Sequence, residues 1–183
     1  MKKIPRTQFA CLSVLRVMPM SGYKIAESCK DWFSHCWNES YGQIYPTLKK
    51  LHANGDIEKL PPQLGQRGNV YKITAQGKET LIEWLHVPAS APSLRDEYYL
   101  KFFNASVVPN TLHLEHLQRK RQHLKDCLAD TKTSLAHLER VPGEDTQFWK
   151  LMIRYGLISY KTELAWIDEA EAFLNERLQH KHA

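Results

Sequence analysis

SYGQIYPTLKKLHANGDIEKLPPQLGQRGNVYKIT, residues 40–74, decides how the rest of the chain is read. Ile44, Leu48 and Leu51 recur at i, i+4 and i+7, one apolar stripe on a helical period, which predicts a helix. Asn54-Gly55 ends it, because a residue in the left-handed region closes a helix cheaply. With Ile44 inward, the outward side holds Gln43, Pro46, Lys49, Lys50 and Ala53, a basic, amide-bearing face without large apolar groups. Pro46 has no N–H for the carbonyl four residues back, so an irregular or 3₁₀ first turn is expected before it. The second half predicts two short strands, Ile57–Leu60 and Val70–Ile73, joined by PPQLGQRGN, rich in Pro and Gly like an exposed loop. Such a helix fits a major groove, and a loop tip with Arg67 can reach the adjacent backbone or minor groove. The competing reading of the same residues is a solvated basic face.

Charge placement bears on that choice. The net charge is +5; residues 1–86 hold 12 Lys and Arg against 7 Asp and Glu, and residues 87–183 hold 13 of each. The excess lies wholly on the segment with the candidate groove helix, which favours a polyanion partner for it. At 183 residues and 43% hydrophobic, the chain suits a small domain plus an accessory segment. No uncharged apolar run approaches the roughly 18 residues of a membrane span. Arg16 interrupts the apolar run near the start, and no cleavage site follows, so no targeting segment is expected. Cys11, Cys29, Cys36 and Cys127 lack CxxC spacing and read as reduced thiols of a cytoplasmic protein. His113 and His116 flank Glu115 without a defined third ligand, so no metal site is expected. No phosphate loop, nucleophile motif or HExxH is present, so neither an enzyme nor a cofactor is expected.

Along the chain, Pro5 to Val17 predicts a first helix with Phe9, Cys11, Leu12 and Leu15 buried, closed by Pro19. Ser21 suits the N-cap of a second helix carrying Ile25, Ala26 and Cys29. After the wing, Ala75 to Leu85 is a helix with Leu81, Ile82, Trp84 and Leu85 as packing candidates. A Pro/Ala/Ser linker then divides a winged helix-turn-helix domain, 1–87, from a helical domain, 93–183. Leu94 to Val108 predicts an amphipathic helix. From Leu114 an unbroken 3/4 spacing runs through Leu117, Arg121, Leu124, Leu128, Thr131, Leu135 and Leu138, a heptad seam. A final helix, about residues 145–178, adds Phe148, Met152, Tyr155, Trp166 and Phe173. Two antiparallel helices cannot bury such stripes alone, so Leu114, Leu117, Leu124, Leu128, Leu135 and Leu138 are expected at a homodimer interface. Phe102, Phe103, Trp149, Tyr155, Tyr160 and Trp166 admit two readings, helical core or the lining of a cavity for a planar effector at the dimer interface. The fold class is mostly α with a small β-wing, the long helices forming a dimerisation domain.

At SGYKI (21–25), WNESYGQIYPTLKKLHANGDIE (37–58) and VYKITAQGKETLIEWL (70–85) the chain resembles the PadR family of bacterial transcriptional regulators, over about residues 8–86. LRDEYYLKFF (94–103) is similar to the start of the helical C-terminal domain in the larger PadR subgroup, with its virulence-activator and phenolic-acid-responsive members. The resemblance implies a homodimer on an inverted repeat of double-stranded DNA, usually a repressor, in one group released by a small aromatic effector. It implies DNA contacts by Ser40, Gln43, Tyr45, Lys49, Lys50, Tyr23, Lys24 and Arg67. The wing departs from the family pattern at Pro61-Pro62. Gln43 is the candidate base reader, since an amide bonds adenine N6 and N7 together; its other reading is a capping partner of Ser40. Lys49 and Lys50 fit phosphates. Tyr45 fits either a phosphate or thymine methyl, or packing under the wing. Two other functions are weighed: a protein–protein adaptor docking through the winged helix, and a thiol-based redox regulator using Cys36 beside His35.

Overall fold

Two compact units, Met1–Ala91 and Pro92–Ala183, divide the chain. A computed structural model describes residues 6–33, 37, 41–61, 68–91 and 95–180. In the first unit, α1 (Thr7–Val17) presents Phe9, Cys11, Leu12, Val14 and Leu15 inward, all buried. The chain then extends into β1 (Met20–Ser21) and turns into α2 (Gly22–Phe33), where Ser21 Oγ accepts from Lys24 N at 3.2 Å as the expected N-cap. α3 (Tyr41–Ala53) follows, with Ile44, Leu48 and Leu51 buried on one side. β2 (Ile57–Lys59) and β3 (Val70–Ile73) form the wing, and α4 (Ala75–Leu85) lays Leu81 into the core. Phe9 stacks on Trp84 at 4.5 Å and 8°, tying α1 to α4.

Three expectations change here. The sheet has three strands, ordered β1-β3-β2, because Met20 and Ser21 pair antiparallel with Tyr71 and Val70. A two-residue strand leaves no alternation to read in a sequence. The first turn of α3 is regular helix despite Pro46. Only the bond to the Gly42 carbonyl is forfeited, and Gly42 is exposed, so water can satisfy it. Ile82 and Leu85 of α4 face solvent rather than the core.

The second unit is a helical hairpin with a short helix laid on it. α5 (Glu97–Phe103) and a 3₁₀ turn (Ala105–Val107) replace the longer helix expected over 94–108. Asp96 Oδ1 caps its start by accepting from Tyr98 N at 2.8 Å, and Asn104 closes its end by donating to the Leu100 carbonyl. α6 (Asn110–Leu138) and α7 (Glu144–His180) run antiparallel, Arg121 meeting Glu171 and Asn110 reaching the Leu174 carbonyl. The heptad seam serves this contact first. Leu117 and Leu124, expected at an interface between subunits, are buried against Ile167, Ala170 and Leu174 of their own chain. Leu114 packs on the same cluster, while Leu128, Leu135 and Leu138 are only half-buried. Spacing alone fixes which residues form a stripe, not which helix receives it.

Candidate nucleic-acid interface

The candidate face begins with how α3 is held. Its C-terminus is a Schellman closure: Gly55 takes φ +81°, its N–H donates to the His52 carbonyl, and Asp56 N–H donates to the Leu51 carbonyl. Thr74 locks the joint by donating to the Gly55 carbonyl at 2.7 Å and accepting from Gly77 N at 3.1 Å. Asp56, itself buried, receives Thr80 Oγ1 at 2.9 Å. A Cβ on Gly77 would fall 2.0 Å from the Asp56 carbonyl oxygen, so only glycine lets α4 approach. The spaced residues of ANGDIE and ITAQG are therefore one joint that sets α3 against the wing.

Buried Ile44, Leu48 and Leu51 leave Gln43, Tyr45, Lys49 and Lys50 exposed together, as the stripe predicts. Neither lysine is drawn into an ion pair with a described residue, so both charges are available to an anion. Tyr45 packs toward α2. Its ring covers the start of α2, where a Cβ on Gly22 would meet Tyr45 Cε1 at 2.9 Å and Leu48 Cδ1 at 3.3 Å. Half of the tyrosine remains exposed beside Tyr23, whose ring is exposed as well. Lys24 is exposed too but engaged: its Nζ lies 2.7 Å from Glu27 Oε2, and that hydrogen bond, with the carboxylate's charge, raises its pKa. Ser40, Arg67, Cys36 and His35 lie outside the described residues.

The six aromatic candidates do not surround one cavity within the chain. Phe102 and Trp166 meet at 5.2 Å, and Tyr160 packs on the same hairpin core. Phe103 and Tyr155 are exposed, and Trp149 is 17 residues from Trp166 along α7, about 25 Å at a helical rise of ~1.5 Å. Beside Trp166 lies a cluster the sequence reading missed. Lys120 Nζ bonds Asp96 Oδ2 at 2.9 Å and Glu163 Oε1 at 2.7 Å, with the rings of Tyr98 and Tyr99 about its charge. Tyr99 OH donates to Glu163. Burial works against the charge on Lys120, but the bonds to Glu163 and Asp96 prevail and raise its pKa. Burial likewise opposes the Asp96 carboxylate, yet Lys120 and the Tyr98 N–H hold its pKa low. Tyr98, half-enclosed and near Asp96 and Glu171, is pushed up to about 12. These three elements are far apart in sequence, so only the fold assembles the cluster.

The three described thiols give little purchase to redox chemistry, and Cys36 lies outside the described residues. Cys11 and Cys29 are buried, and burial with Asp130 and Asp126 pushes the Cys127 thiol up, away from a reactive thiolate. Among the described residues no group of His, Cys, Asp and Glu is arranged to hold a metal ion. No helix there is long and apolar enough to cross a membrane.

Comparison with known proteins matches residues 11–83 to the transcriptional regulator PadR-like family and residues 94–175 to the virulence activator alpha C-terminal family. The negative transcriptional regulator PadR of Bacillus subtilis is 27% identical over 178 residues, covering 92% of this chain and 97% of that protein. Its crystal structure with operator DNA is similar at a TM-score of 0.80 and 25% identity, over 94% of this chain and 99% of that one. Its complex with p-coumaric acid is similar at 0.69 and 26%, over 96% and 99%.

Proposed function

Since this chain belongs to the PadR-like family of transcriptional regulators, we propose that it is a homodimer binding an inverted-repeat operator, one α3 per half-site, and acts as a repressor. The observation that carries this is the division of α3: an apolar stripe wholly inside the unit, and Gln43, Lys49 and Lys50 exposed together on the basic half of the chain. Gln43 is assigned to a base edge, and Lys49 and Lys50 to phosphates. Tyr45 positions α3 through its packing on Gly22 while its exposed edge, with Tyr23, borders the DNA. Lys24 joins the phosphate contacts by exchanging Glu27 for the backbone. The B. subtilis relative's operator and p-coumaric acid complexes support operator binding and a small aromatic effector here. Self-association is assigned to the turn end of the hairpin, where Phe148, Leu151, Tyr155 and Ile158 are exposed at helical spacing on α7. The protein acts in the cytoplasm on this reading.

Sequencing genomic fragments captured by the purified protein tests it; a single enriched palindrome is expected. Capture without a motif would leave only non-specific basic binding and favour the adaptor. Gln43→Ala should cost about 1–3 kcal/mol on that operator and flatten preference at one position per half-site. An equal loss on random DNA would remove Gln43 from base readout.

A further inference from the structure

Asn54-Gly55 is the one Asn-Gly step in the chain, and it stands where α3 meets the wing. The other five asparagines precede Glu39, Val70, Ala105, Thr111 and Glu176, whose side chains crowd the following amide nitrogen. Gly55 has no side chain to do so. Both residues are exposed, and the Asn54 side-chain amide makes no hydrogen bond with a described residue. What restrains the pair is the backbone. Gly55 N–H donates to the His52 carbonyl at 3.1 Å and Asn54 N–H to the Lys50 carbonyl at 2.9 Å, so Asn54 still belongs to the last helical turn. Gln76 adds a clasp. Its Nε2 donates to the Asn54 carbonyl at 2.7 Å, and its side-chain oxygen lies 3.2 Å from where a Cβ on Gly55 would stand. Exposed bonds at a helix end are the kind that open first.

We propose that Asn54 is a modification site, a deamidation that disables α3 at a rate set by the Gln76 clasp. When the helix end opens, the Gly55 nitrogen gives its proton to a solvent base and attacks Asn54 Cγ. The new C–N bond closes a succinimide. The bond to the side-chain nitrogen breaks, and that nitrogen leaves as ammonia with a proton from water. Water then opens the ring at either carbonyl and leaves aspartate or isoaspartate at position 54. Either product puts a carboxylate at the C-terminal end of α3, one turn beyond Lys50, where the last carbonyls already concentrate negative charge. Isoaspartate also routes the main chain through the former side chain. That inserts an extra backbone atom into the closure that Gly55 and Asp56 make with the His52 and Leu51 carbonyls. The chemistry stands on the Asn54-Gly55 step itself; the loss of DNA binding rests on the reading of α3 as the groove helix.

The full chain is incubated in mild alkali, and its tryptic peptide of residues 51–59 is followed by mass and by isoaspartate methyltransferase labelling. Asn54 should convert before the other five asparagines. Gln76→Ala, at an exposed position tolerant of truncation, should convert at least threefold faster. The isolated isoaspartate fraction should bind the operator at least tenfold more weakly than fresh protein. Asn54→Gln keeps the amide but needs a larger ring to cyclise, and should hold its operator affinity through the same incubation. Asn54 that outlasts the other asparagines, a Gln76→Ala rate equal to the parent's, or an isoaspartate fraction with full operator affinity overturns the proposal. A chain that converts at Asn54 but enriches no operator keeps the modification site and loses the regulator reading.

Discussion

The N-terminal unit closes its core on itself, whereas the hairpin closes only one end of its own. In the first, Leu12, Leu15, Ile25, Ile44, Leu48 and Ile57 come from four elements to one point, each at 1% exposure or less. In the second, Leu117, Leu124, Ile167 and Leu174 are buried where the first half of α6 meets the second half of α7, with α5 laid alongside. Towards the turn at residues 139–143, one apolar stripe of α7 is left uncovered by the described residues, and its Phe148, Leu151 and Ile158 are each 60% exposed or more. Two helices bury only the stripes that face each other; a wider apolar belt needs a third layer. The lesson is that the first unit owes its shape to its own residues, while half of the hairpin leaves an apolar stripe exposed.

The comparison breaks most sharply at Gly77. Gly77→Ala puts a methyl into the Asp56 backbone and should cost at least ~4 kcal/mol, because neither backbone can yield without opening the joint. Hydrogen exchange should then show peptides of residues 6–91 unprotected while α6 and α7 keep their protection. Equal loss in both would mean that the units are not independent in stability.

Core truncations come next. Leu48→Ala and Leu117→Ala should each cost about 2–5 kcal/mol at any protein concentration, since both sites are closed within one chain. Leu151→Ser, on the exposed stripe, should leave the dilute chain unchanged and weaken self-association in sedimentation equilibrium. A Leu151→Ser protein that associates like the parent would detach the stripe from the dimer.

A smaller effect isolates the polar clamp. Lys120→Met should cost about 1–3 kcal/mol, between an exposed pair and a buried one, because Asp96 and Glu163 lose their common cation. The folded pKa of Asp96 is depressed, so its contribution is present above the ordinary carboxylate value and lost as pH falls through the folded one. Lys120 is shifted upward, so its contribution is full below its ordinary value of 10.5 and lost above the folded one. Melting the hairpin from pH 7 down to about pH 3 should therefore destabilise the parent more steeply than Lys120→Met. The smallest change is Glu27→Gln, which releases Lys24 and should tighten binding to any DNA roughly two- to threefold, steepening the salt dependence.

Much of the recognition half was legible because its signals are local. The stripe Ile44, Leu48, Leu51 orients α3 without reference to any partner, and it places Gln43, Lys49 and Lys50 outward by geometry alone. Gly55 and Ser21 mark helix ends through backbone chemistry that one or two residues specify. Two misreadings had local causes as well: β1 is too short to carry alternation, and Pro46 removes a bond that water can replace at exposed Gly42. Tyr45 was ambiguous because its role depends on Gly22, 23 residues away, and no spacing encodes that approach.

Sequence by itself determined the main helices and the wing strands, the inward stripes of α1 and α3, and the placement of the excess charge, since periodicity, caps and charge are properties of neighbouring residues. Only the tertiary structure decided that the leucine seam is filled first by α7 of the same chain, and that Lys120 gathers Asp96, Glu163 and Tyr99. Those facts depend on which surfaces meet across dozens of residues, and a stripe carries the same pattern whichever surface covers it.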